Sequence, residues 1–268
     1  MSSTYLQDQV VAITGGSRGI GLATARALVE RGARVAILAR TPESIDRAVE
    51  ELGADQAMGC VVDVRDRTGL ERAFEQVMER WGRLDGLINN AGFQFARSIE
   101  TMSEEELRQL LDLNFTSVVL ACQCAIPLMR RQGGGRIINL SSASVRNENE
   151  FADLGIYSAA KAAVDQFTLE LRRDLKYDGI MVTLFSPGAV ATGSIDNFDP
   201  EAAAAAMEKW QRTGPTFDGA IQPEVVGRAL AHCMDYPPGV AVEFMEVRPN
   251  QPMPKALETD WDESMGKG

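Results

Sequence analysis

The sequence VVAITGGSRGIG, residues 10–21, joins an apolar, β-branched run to a turn that holds four glycines. An amphipathic helical pattern follows, so the order along the chain is strand, glycine turn and helix. Backbone without side-chain bulk lets N–H groups approach a pyrophosphate, and the helix N-terminus adds positive partial charge. We expect Gly15 to form the tight turn, Gly19 to allow the close approach and Gly21 to let the helix touch the strand. A plain loop is the alternative interpretation, because glycine motifs also arise by chance.

Composition limits the possible partners. The chain has 268 residues, 45% of them hydrophobic, and a net charge of −11. This length and apolar content predict one domain, residues 1–268, with a sizeable core. The acidic balance argues against nucleic acid as a partner but is compatible with one local basic pocket for a small anion. The polar start predicts no signal peptide and no run of about 18 apolar residues occurs, so we expect no membrane partner.

The cysteines and the single histidine narrow the chemistry. Cys60, Cys122, Cys124 and Cys233 form no C-x-x-C pair, which favours reduced, mostly buried thiols and a cytoplasmic location. His232 is the only histidine in the sequence and lies in an apolar helical pattern. This inventory argues against a Ser-His-Asp triad and a multi-histidine zinc site, so we expect no metal and a structural role for His232.

Short apolar runs alternate with helical patterns from residue 10 to about residue 190. Several runs are apolar throughout, which is typical of strands buried on both faces of a parallel sheet. We predict a single Rossmann-type α/β domain: a doubly wound parallel sheet of about seven strands, with helices on both faces and a small lid. The lid is residues 193–222, and residues 251–268 form a polar C-terminal tail. The predicted strands are residues 10–14, 34–38, 58–62, 87–89, 136–140, 181–185 and 240–247.

Helix start signals place several of the helices. Thr41-Pro42 gives an N-cap followed by proline at the first helical position. Residues 68–71 and 103–106 both fit the capping box. Pro127 is expected to kink or end the helix that follows Ser103. The apolar residues predicted to share one face of that helix are Leu107, Leu110, Leu111 and Phe115.

The end of the second strand indicates which dinucleotide is bound. An acidic residue about 20 positions after the glycine turn usually holds the ribose 2′-hydroxyl of NAD. Ala39 stands at that place here and is followed by Arg40. Arginine binds a 2′-phosphate through two charge-assisted hydrogen bonds, and Arg18 in the glycine turn can approach the same phosphate. We therefore favour NADP(H) over NAD(H); the alternative is that both arginines are solvated surface groups.

Tyr157 and Lys161 are four residues apart, so on a helix they share one face. A neighbouring cation favours the phenolate and lowers the pKa of a tyrosine, as a bound nicotinamide cation also would. Such pairs arise often by chance, but ligands bind beyond the carboxyl ends of parallel strands, and other polar groups follow the strands here. These are Asn89–Gly92, Ser141-Ser142 and Pro187–Thr192, with Asn114 in the long helix between.

With these motifs the chain resembles the short-chain dehydrogenase/reductase family, over roughly residues 8 to 250. The motifs are Thr-Gly-x-x-x-Gly-x-Gly at 14–21, Asn-Asn-Ala-Gly at 89–92 and Tyr-x-x-x-Lys at 157–161. The resemblance implies a catalytic tetrad at Asn114, Ser142, Tyr157 and Lys161. It also implies cofactor contacts from Gly15, Ser17, Arg18, Gly19, Ile20, Arg40, Asp63, Val64, Asn90, Ala91, Gly92, Tyr157, Lys161, Pro187, Gly188, Val190 and Thr192.

Some of these residues have distinct parts in the resemblance. Asp63 stands where family members hold the adenine amino group, and Val64 would line the adenine site. Thr192, after Pro187-Gly188, corresponds to the stretch that holds the nicotinamide carboxamide.

The chain departs from the family pattern in two places. The interval from Ser142 to Tyr157 is slightly long, which leaves Ser144 as an alternative catalytic serine and lets residues 147–150 bulge beside the pocket. We prefer Ser142, because it directly follows the RIINLS strand. The ending FMEVRPN at residues 244–250 replaces the Asp-Gly-Gly of many relatives and does not indicate the substrate.

The implied activity is reversible hydride transfer between NADP(H) and a carbonyl or secondary alcohol. Tyr157 would exchange the proton with the substrate oxygen, which Ser142 would hydrogen-bond. Lys161 would lower the pKa of Tyr157 and hold the nicotinamide ribose, and Asn114 would anchor a water that links Lys161 to solvent. Apolar residues beside the site predict a hydrophobic substrate, although they fit ordinary lid packing equally well. The residues expected to meet the substrate are Ser142, Phe93, Phe151 and Leu154.

Two other functions use the same fold. One is a non-catalytic dinucleotide-binding regulator, which would be expected to lose a tetrad member. The other is a cofactor-independent lyase of the halohydrin dehalogenase type, which replaces the lysine with arginine and corrupts the glycine turn. Neither departure is present in this sequence. Relatives commonly form tetramers through two long helices, so we expect a homotetramer or homodimer through residues 104–131 and 157–176.

Overall fold

Seven parallel strands form one sheet in the computed structural model of the chain, which describes residues 4–146, 153–193, 199–213 and 219–250. The order across the sheet is β3-β2-β1-β4-β5-β6-β7, so the chain reverses its direction of winding after β3. Open α/β sheets bind ligands at such a reversal, beyond the carboxyl ends of the strands. The strands are β1 Val10–Thr14, β2 Arg34–Ala39, β3 Ala57–Val61, β4 Gly86–Asn89, β5 Gly135–Leu140, β6 Ile180–Pro187 and β7 Phe244–Val247.

Helices cover both faces of the sheet. A five-residue π-helical segment, Asp112–Thr116, joins α4 to α5, and short 3₁₀ turns follow β5 and α6. The prediction of a doubly wound parallel sheet of about seven strands is thereby confirmed. The α-helices in the described residues are α1 Gly19–Val29, α2 Pro42–Leu52, α3 Arg67–Trp81, α4 Glu104–Leu111, α5 Ser117–Arg131, α6 Gly155–Asp174, α7 Pro200–Thr213 and α8 Pro223–Met234.

The side chains of β1 alternate between two apolar cores. Val10 and Ala12 face the core that α3, α5 and α6 complete, and Val11 and Ile13 face the core beneath α1 and α8. All four are fully buried. Both faces of the strand exclude water, which explains why the VVAIT run contains no charged residue.

The strand predictions agree with the sheet to within two residues at six of the seven strands. The last strand begins at Phe244, not at Val240 as predicted. The Arg136 guanidinium donates hydrogen bonds to the carbonyl oxygens of Val240 at 2.9 Å and Tyr236 at 3.0 Å. These bonds hold residues 236–240 as a turn, so the carbonyl groups of Tyr236 and Val240 do not pair with β6.

The helix signals were right in part. Ser103 forms the predicted capping box with Glu106, and α2 begins at Pro42. The box at residues 68–71 is wrong: α3 begins at Arg67, and the Asp66 carboxylate accepts the hydrogen bond from the backbone N–H of Thr68.

The long helix after Ser103 also differs from its prediction. It does not end at Pro127, since α5 continues to Arg131. Leu110 is buried, but Leu111 is 37% exposed. The π-helical segment starts after Leu111, at Asp112, and changes the number of residues per turn, so Phe115 does not continue the 3.6-residue period of α4.

Residues 104–131 form one continuous helical stretch that is long and apolar enough, by length and composition alone, to cross a membrane. Val118, Ala121, Cys122 and Ala125 on this stretch pack into the core beneath the sheet. Burial in the core therefore accounts for its apolar face.

The chain leaves the sheet after β6 and returns to it before α8. Val190 pairs with Ile221, and the N–H groups of Ala191 and Ile221 donate to the carbonyls of Ile221 and Ala189 at 2.9 and 3.0 Å. Helix α7 lies between these ends, within the predicted lid at residues 193–222. The lid residues 194–198 and 214–218, and the tail 251–268, lie outside the described residues.

We predict that Gly227→Ala destabilises the fold by about 1–3 kcal/mol, because α8 packs against α1 at this glycine. A Cβ at position 227 would lie 2.5 Å from the backbone carbon of Ala23 and 2.8 Å from the backbone nitrogen of Thr24. Urea unfolding measures the change. Gly155→Ala is the matched control, because a Cβ there has no heavy atom within 4 Å and no loss is expected. Equal stability of the two variants would contradict the packing argument.

Candidate active site

A cleft of about 890 Å³ opens beyond the carboxyl ends of β1, β2 and β4. This volume lies near the upper end of the range for small-molecule sites. The residues of the predicted cofactor set that line it are Gly15, Ser17, Arg18, Gly19, Ile20, Arg40, Val64, Asn90, Ala91, Gly92 and Thr192, and Phe93 of the predicted substrate set lines it too. The described residues that were predicted for the site but lie outside this wall are Asp63, Asn114, Ser142, Leu154, Tyr157, Lys161, Pro187, Gly188 and Val190.

The glycine turn forms one wall of the cleft from bare backbone. Gly15 and Gly19 have φ of 64° and 54°, a region that residues with a Cβ rarely adopt. Gly21 brings α1 onto the turn, since a Cβ there would lie 2.3 Å from the carbonyl oxygen of Gly15. The Asn90 amide donates to the carbonyl oxygens of Thr14 at 2.9 Å and Gly15 at 3.1 Å. These bonds tie the turn to the end of β4.

Positively charged side chains collect along this cleft, although the protein as a whole is acidic. Arg18 comes from the glycine turn, Arg40 from the end of β2 and Arg47 from α2. Arg47 and Ser44 line the same wall and were not predicted from the sequence. Their spacing of three residues places both on one face of α2, so helical periodicity could have identified them.

Asp63 is engaged by a neighbour instead of facing the cleft. The Nη2 atom of Arg65 lies 2.6 Å from the Asp63 Oδ2 atom. This hydrogen bond holds the pKa of Asp63 below its ordinary value, and the charge of Arg40 acts in the same direction. Val64 does line the cleft. The adenine contact expected of Asp63 stays a prediction.

Asn114 is fully buried in the π-helical segment. Its Nδ2 donates to the carbonyl oxygens of Phe93 and Leu110, both at 2.9 Å, and its Oδ1 accepts from the Phe93 N–H at 3.2 Å. A Cβ at Gly92 would lie 2.7 Å from Asn114 Oδ1 and 3.5 Å from Lys161 Nζ. The structure therefore brings Asn114 and Lys161 together beside a glycine that must stay without a side chain.

Lys161 is almost completely buried and donates from Nζ to the carbonyl oxygen of Leu140 at 2.9 Å. Burial lowers the pKa of Lys161 to about 8, and the negative charge of Asp165 opposes that shift. The Nζ atom lies 6.0 Å from the centre of the Tyr157 ring. Tyrosine and lysine thus share one face of α6, and the lysine titrates close to neutral pH.

Tyr157 and Ser142 form a hydrogen-bonded pair. Burial raises the pKa of Tyr157, and the hydrogen bond from Ser142 lowers it. The expected lowering by Lys161 is not among these causes, because in this geometry the ammonium is directed to the Leu140 carbonyl. Ser144 donates to Ser142 Oγ at 3.0 Å, and the serine that hydrogen-bonds to the tyrosine is Ser142. Two hydroxyls beside an ammonium can bind one substrate oxygen and exchange a proton with it.

The residues after β6 bring Thr192 next to the glycine turn. A Cβ at Gly19 would lie 3.3 Å from the Thr192 methyl group. Pro187 ends β6, the Gly188 N–H donates to the Val247 carbonyl at 2.8 Å, and Val190 pairs with Ile221. This segment carries Thr192 to the cleft mouth.

Apolar residues that were predicted to contact the substrate lie after β4 and just before α6. The rings of Phe93 and Phe95 are 5.7 Å apart, and Leu154 is buried just before α6. Phe151 and residues 147–150 lie outside the described residues. Within the part of the chain that the structure describes, no three His, Cys, Asp or Glu side chains are grouped so as to hold a metal ion.

The known proteins that this chain is similar to include dehydrogenases. The family model described as short chain dehydrogenase matches residues 9–203. An uncharacterized oxidoreductase of Staphylococcus saprophyticus is 31% identical over 91% of this chain and 97% of its own. A 3α-hydroxysteroid dehydrogenase of Mediterraneibacter gnavus is 34% identical over 71% of this chain and 77% of its own. The structure of a serine dehydrogenase in complex with NADP⁺, in its closed form, is 28% identical, with a TM-score of 0.78 over 89% of this chain and 94% of that one.

We predict that Lys161→Met changes how the stability depends on pH. The unfolded chain keeps the lysine proton up to about pH 10.5, whereas the folded protein releases it near pH 8. The free energy of unfolding of the wild type, relative to the variant, should therefore rise by about 1–3 kcal/mol between these two pH values. Urea unfolding of both proteins at a series of pH values measures this difference. A constant difference across the range would contradict the burial of a titrating amine.

Proposed function

Because the chain belongs to the short-chain dehydrogenase/reductase family, we propose that it transfers a hydride reversibly between NADP(H) and a hydrophobic ketone or secondary alcohol. The pair formed by Tyr157 and Ser142 carries this proposal, since it offers a proton and a hydrogen bond to one substrate oxygen. The enzyme is an NAD(P)-dependent dehydrogenase/reductase of that family.

The residues of the cleft fit a dinucleotide phosphate. The backbone of Gly15–Gly19 and the N-terminus of α1 suit the pyrophosphate, because the glycines of the turn carry no side chain. Arg18 and Arg40 suit a 2′-phosphate, and Ser44 and Arg47 add a hydroxyl and a third positive charge along the same wall. When bound, the nicotinamide supplies or accepts the hydride. Thr192 and Lys161 would hold its carboxamide and its ribose.

The reaction requires the transfer of one proton to or from the substrate oxygen. In the direction of reduction, the Tyr157 hydroxyl donates its proton to the oxygen as negative charge develops there. Ser142 donates a hydrogen bond to the same oxygen and stabilises that charge. In oxidation the phenolate takes the proton from the alcohol. A bound nicotinamide cation would favour the phenolate and so offset the effect of burial on the pKa of Tyr157.

Lys161 and Asn114 provide the route by which the proton is replaced. Lys161 titrates near pH 8, so it can lose and regain a proton at working pH. Asn114 lies beside it and is held by three hydrogen bonds with the backbone of Phe93 and Leu110. We expect this pair to order a water that connects the ammonium to solvent.

The substrate is expected to be apolar. The Phe93 and Phe95 rings and buried Leu154 are the apolar side chains that would contact it on the way to Ser142. The hydroxysteroid dehydrogenase among the relatives supports a bulky apolar secondary alcohol. Helix α7 would close over such a substrate as a lid, and the ion pair of its Lys209 with Asp153 at 2.8 Å attaches it beside the start of α6.

We further propose a cytoplasmic enzyme that works as a homotetramer or homodimer. Leu111 at the end of α4 and Leu169 on α6 are 37% and 40% exposed. Burying them between subunits would stabilise an assembly built on α4, α5 and α6.

We predict that Tyr157→Phe lowers kcat at least about 100-fold, because the variant has no proton to give to the substrate oxygen. NADPH binding, followed by the fluorescence of the nicotinamide, should be kept. Tyr177→Phe is the matched control, since Tyr177 is 94% exposed and lies outside the site. Full turnover by the Tyr157 variant on a panel of apolar ketones would overturn the assignment.

We predict that Arg40→Ala raises the Kd for NADPH roughly tenfold or more and leaves the Kd for NADH nearly unchanged, because only NADPH carries the 2′-phosphate. Arg72→Ala is the control, as Arg72 lies on α3 and is 69% exposed. Fluorescence titration with both cofactors measures the ratio. An equal loss for NADH and NADPH would show that the arginine does not recognise the phosphate.

A further inference from the structure

Asp165 lies on α6, one helical turn after Lys161 and two turns after Tyr157. Its carboxylate accepts hydrogen bonds from the Ser141 hydroxyl and from the Arg146 guanidinium. The side chain is only 15% exposed. Neither the family motifs nor the proposed proton transfer uses this charge, although a carboxylate costs free energy to bury.

Three successive turns of α6 hold the last residue of β5 and the first two residues of the loop that follows it. Tyr157 meets Ser142, Lys161 donates to the Leu140 carbonyl, and Asp165 accepts from Ser141. Because Asp165 also accepts from Arg146, the loop is fixed to the helix both before and after Ser142. A substitution of Asp165 would release Ser141, which is the residue next to Ser142. Only the contact with Tyr157 would then orient the Ser142 hydroxyl.

Arg146 links the loop after β5 to β7 as well as to Asp165. Its guanidinium lies 4.5 Å from the centre of the Phe244 ring and 3.9 Å from the Glu246 carboxylate on β7. Glu246 in turn accepts a hydrogen bond from Ser186 at 2.9 Å. The loop end at Arg146 is therefore fixed between α6 and the end of the sheet, and Asp165 is the group on α6 that holds it.

We propose that Asp165 is a positioning residue for the dehydrogenase reaction: through Ser141 and Arg146 it fixes the loop that carries Ser142, so that the Ser142 hydroxyl meets the substrate oxygen. The proposal rests on the proposed function. The residue touches neither substrate nor cofactor, and its effect passes through the loop.

The charge of Asp165 has a second consequence, for Lys161. The groups that face the ammonium are the Tyr157 ring and Asp165 on α6, the Leu140 carbonyl after β5, and Asn114 on the π-helical segment. Asp165 supplies the negative charge among them. Without it the ammonium loses its proton at lower pH, because burial is then opposed only by the carbonyl and amide dipoles.

Three variants separate the two effects. Ser141→Ala removes one loop contact and keeps every charge. Asp165→Asn removes both the contacts and the negative charge. Arg146→Gln removes a loop contact and leaves the charge of Asp165 without its cation. Asp174→Asn, an exposed carboxylate at the end of the same helix, is the matched control.

The measurement is the pH profile of kcat for ketone reduction, with KM for the ketone and thermal unfolding of each variant. We expect kcat to fall about tenfold in all three variants with KM changed less than threefold, since small misplacement of a catalytic group is costly. The alkaline limb of the profile should move to lower pH in Asp165→Asn, to higher pH in Arg146→Gln, and stay in place in Ser141→Ala. Asp174→Asn should match the wild type.

Wild-type kcat in Asp165→Asn, or an alkaline limb that moves equally in all three variants, would overturn the proposal. A fall of kcat that only tracks lost thermal stability would also overturn it, because that is the result of a purely structural role. If Asp165→Asn does not fold, Ser141→Ala and Arg146→Gln decide the matter by the same two criteria. A wild-type protein that binds NADPH but reduces no ketone would instead refute the proposed function.

Discussion

The buried ammonium of Lys161 is the constraint on which the rest of the site depends. A charge in the interior needs polar partners on every side, and here they come from different elements: the Leu140 carbonyl at the end of β5, Asp165 on α6 and the neighbourhood of Asn114. To supply them, the ends of β4 and β5, the π-helical segment and α6 must converge on one point. The convergence also places Tyr157 and Ser142 together.

The π-helical segment shows how the backbone serves that convergence. A regular helix directs each carbonyl to an N–H four residues on, whereas the Leu110 carbonyl here also accepts from the Asn114 side chain at 2.9 Å. Asn114 reaches in addition to the backbone of Phe93, which follows β4. One side chain therefore joins the long helix to the sheet edge. Gly92 makes the approach possible, because a Cβ there would lie 2.7 Å from Asn114 Oδ1.

Charge is distributed so that an acidic protein still attracts an anion. The net charge is −11, yet Arg18, Arg40 and Arg47 line one cleft. Such a local field concentrates a phosphate-bearing ligand where the glycine turn exposes its N–H groups, while the acidic surface elsewhere repels polyanions. Around Tyr157 and Lys161, burial instead favours the neutral side chains, because it raises the pKa of Tyr157 and lowers the pKa of Lys161. A bound nicotinamide cation would counteract the shift of Tyr157, and Asp165 counteracts the shift of Lys161.

The sequence by itself determined the sheet, the glycine turn and the motifs at the strand ends. Apolar runs and glycine spacing are local patterns, and a strand such as VVAIT must be buried on both faces wherever the chain goes. The sequence also favoured Ser142 over Ser144, because Ser142 directly follows β5.

Tertiary structure alone decided what depends on partners distant in the sequence. Arg136 held residues 236–240 in a turn outside β7, Leu111 stayed exposed at the end of α4, and Arg65 paired with Asp63. The contacts of Asp165 with Ser141 and Arg146 also required the fold, because a hydrogen bond or an ion pair is set by distances that no spacing along the chain determines.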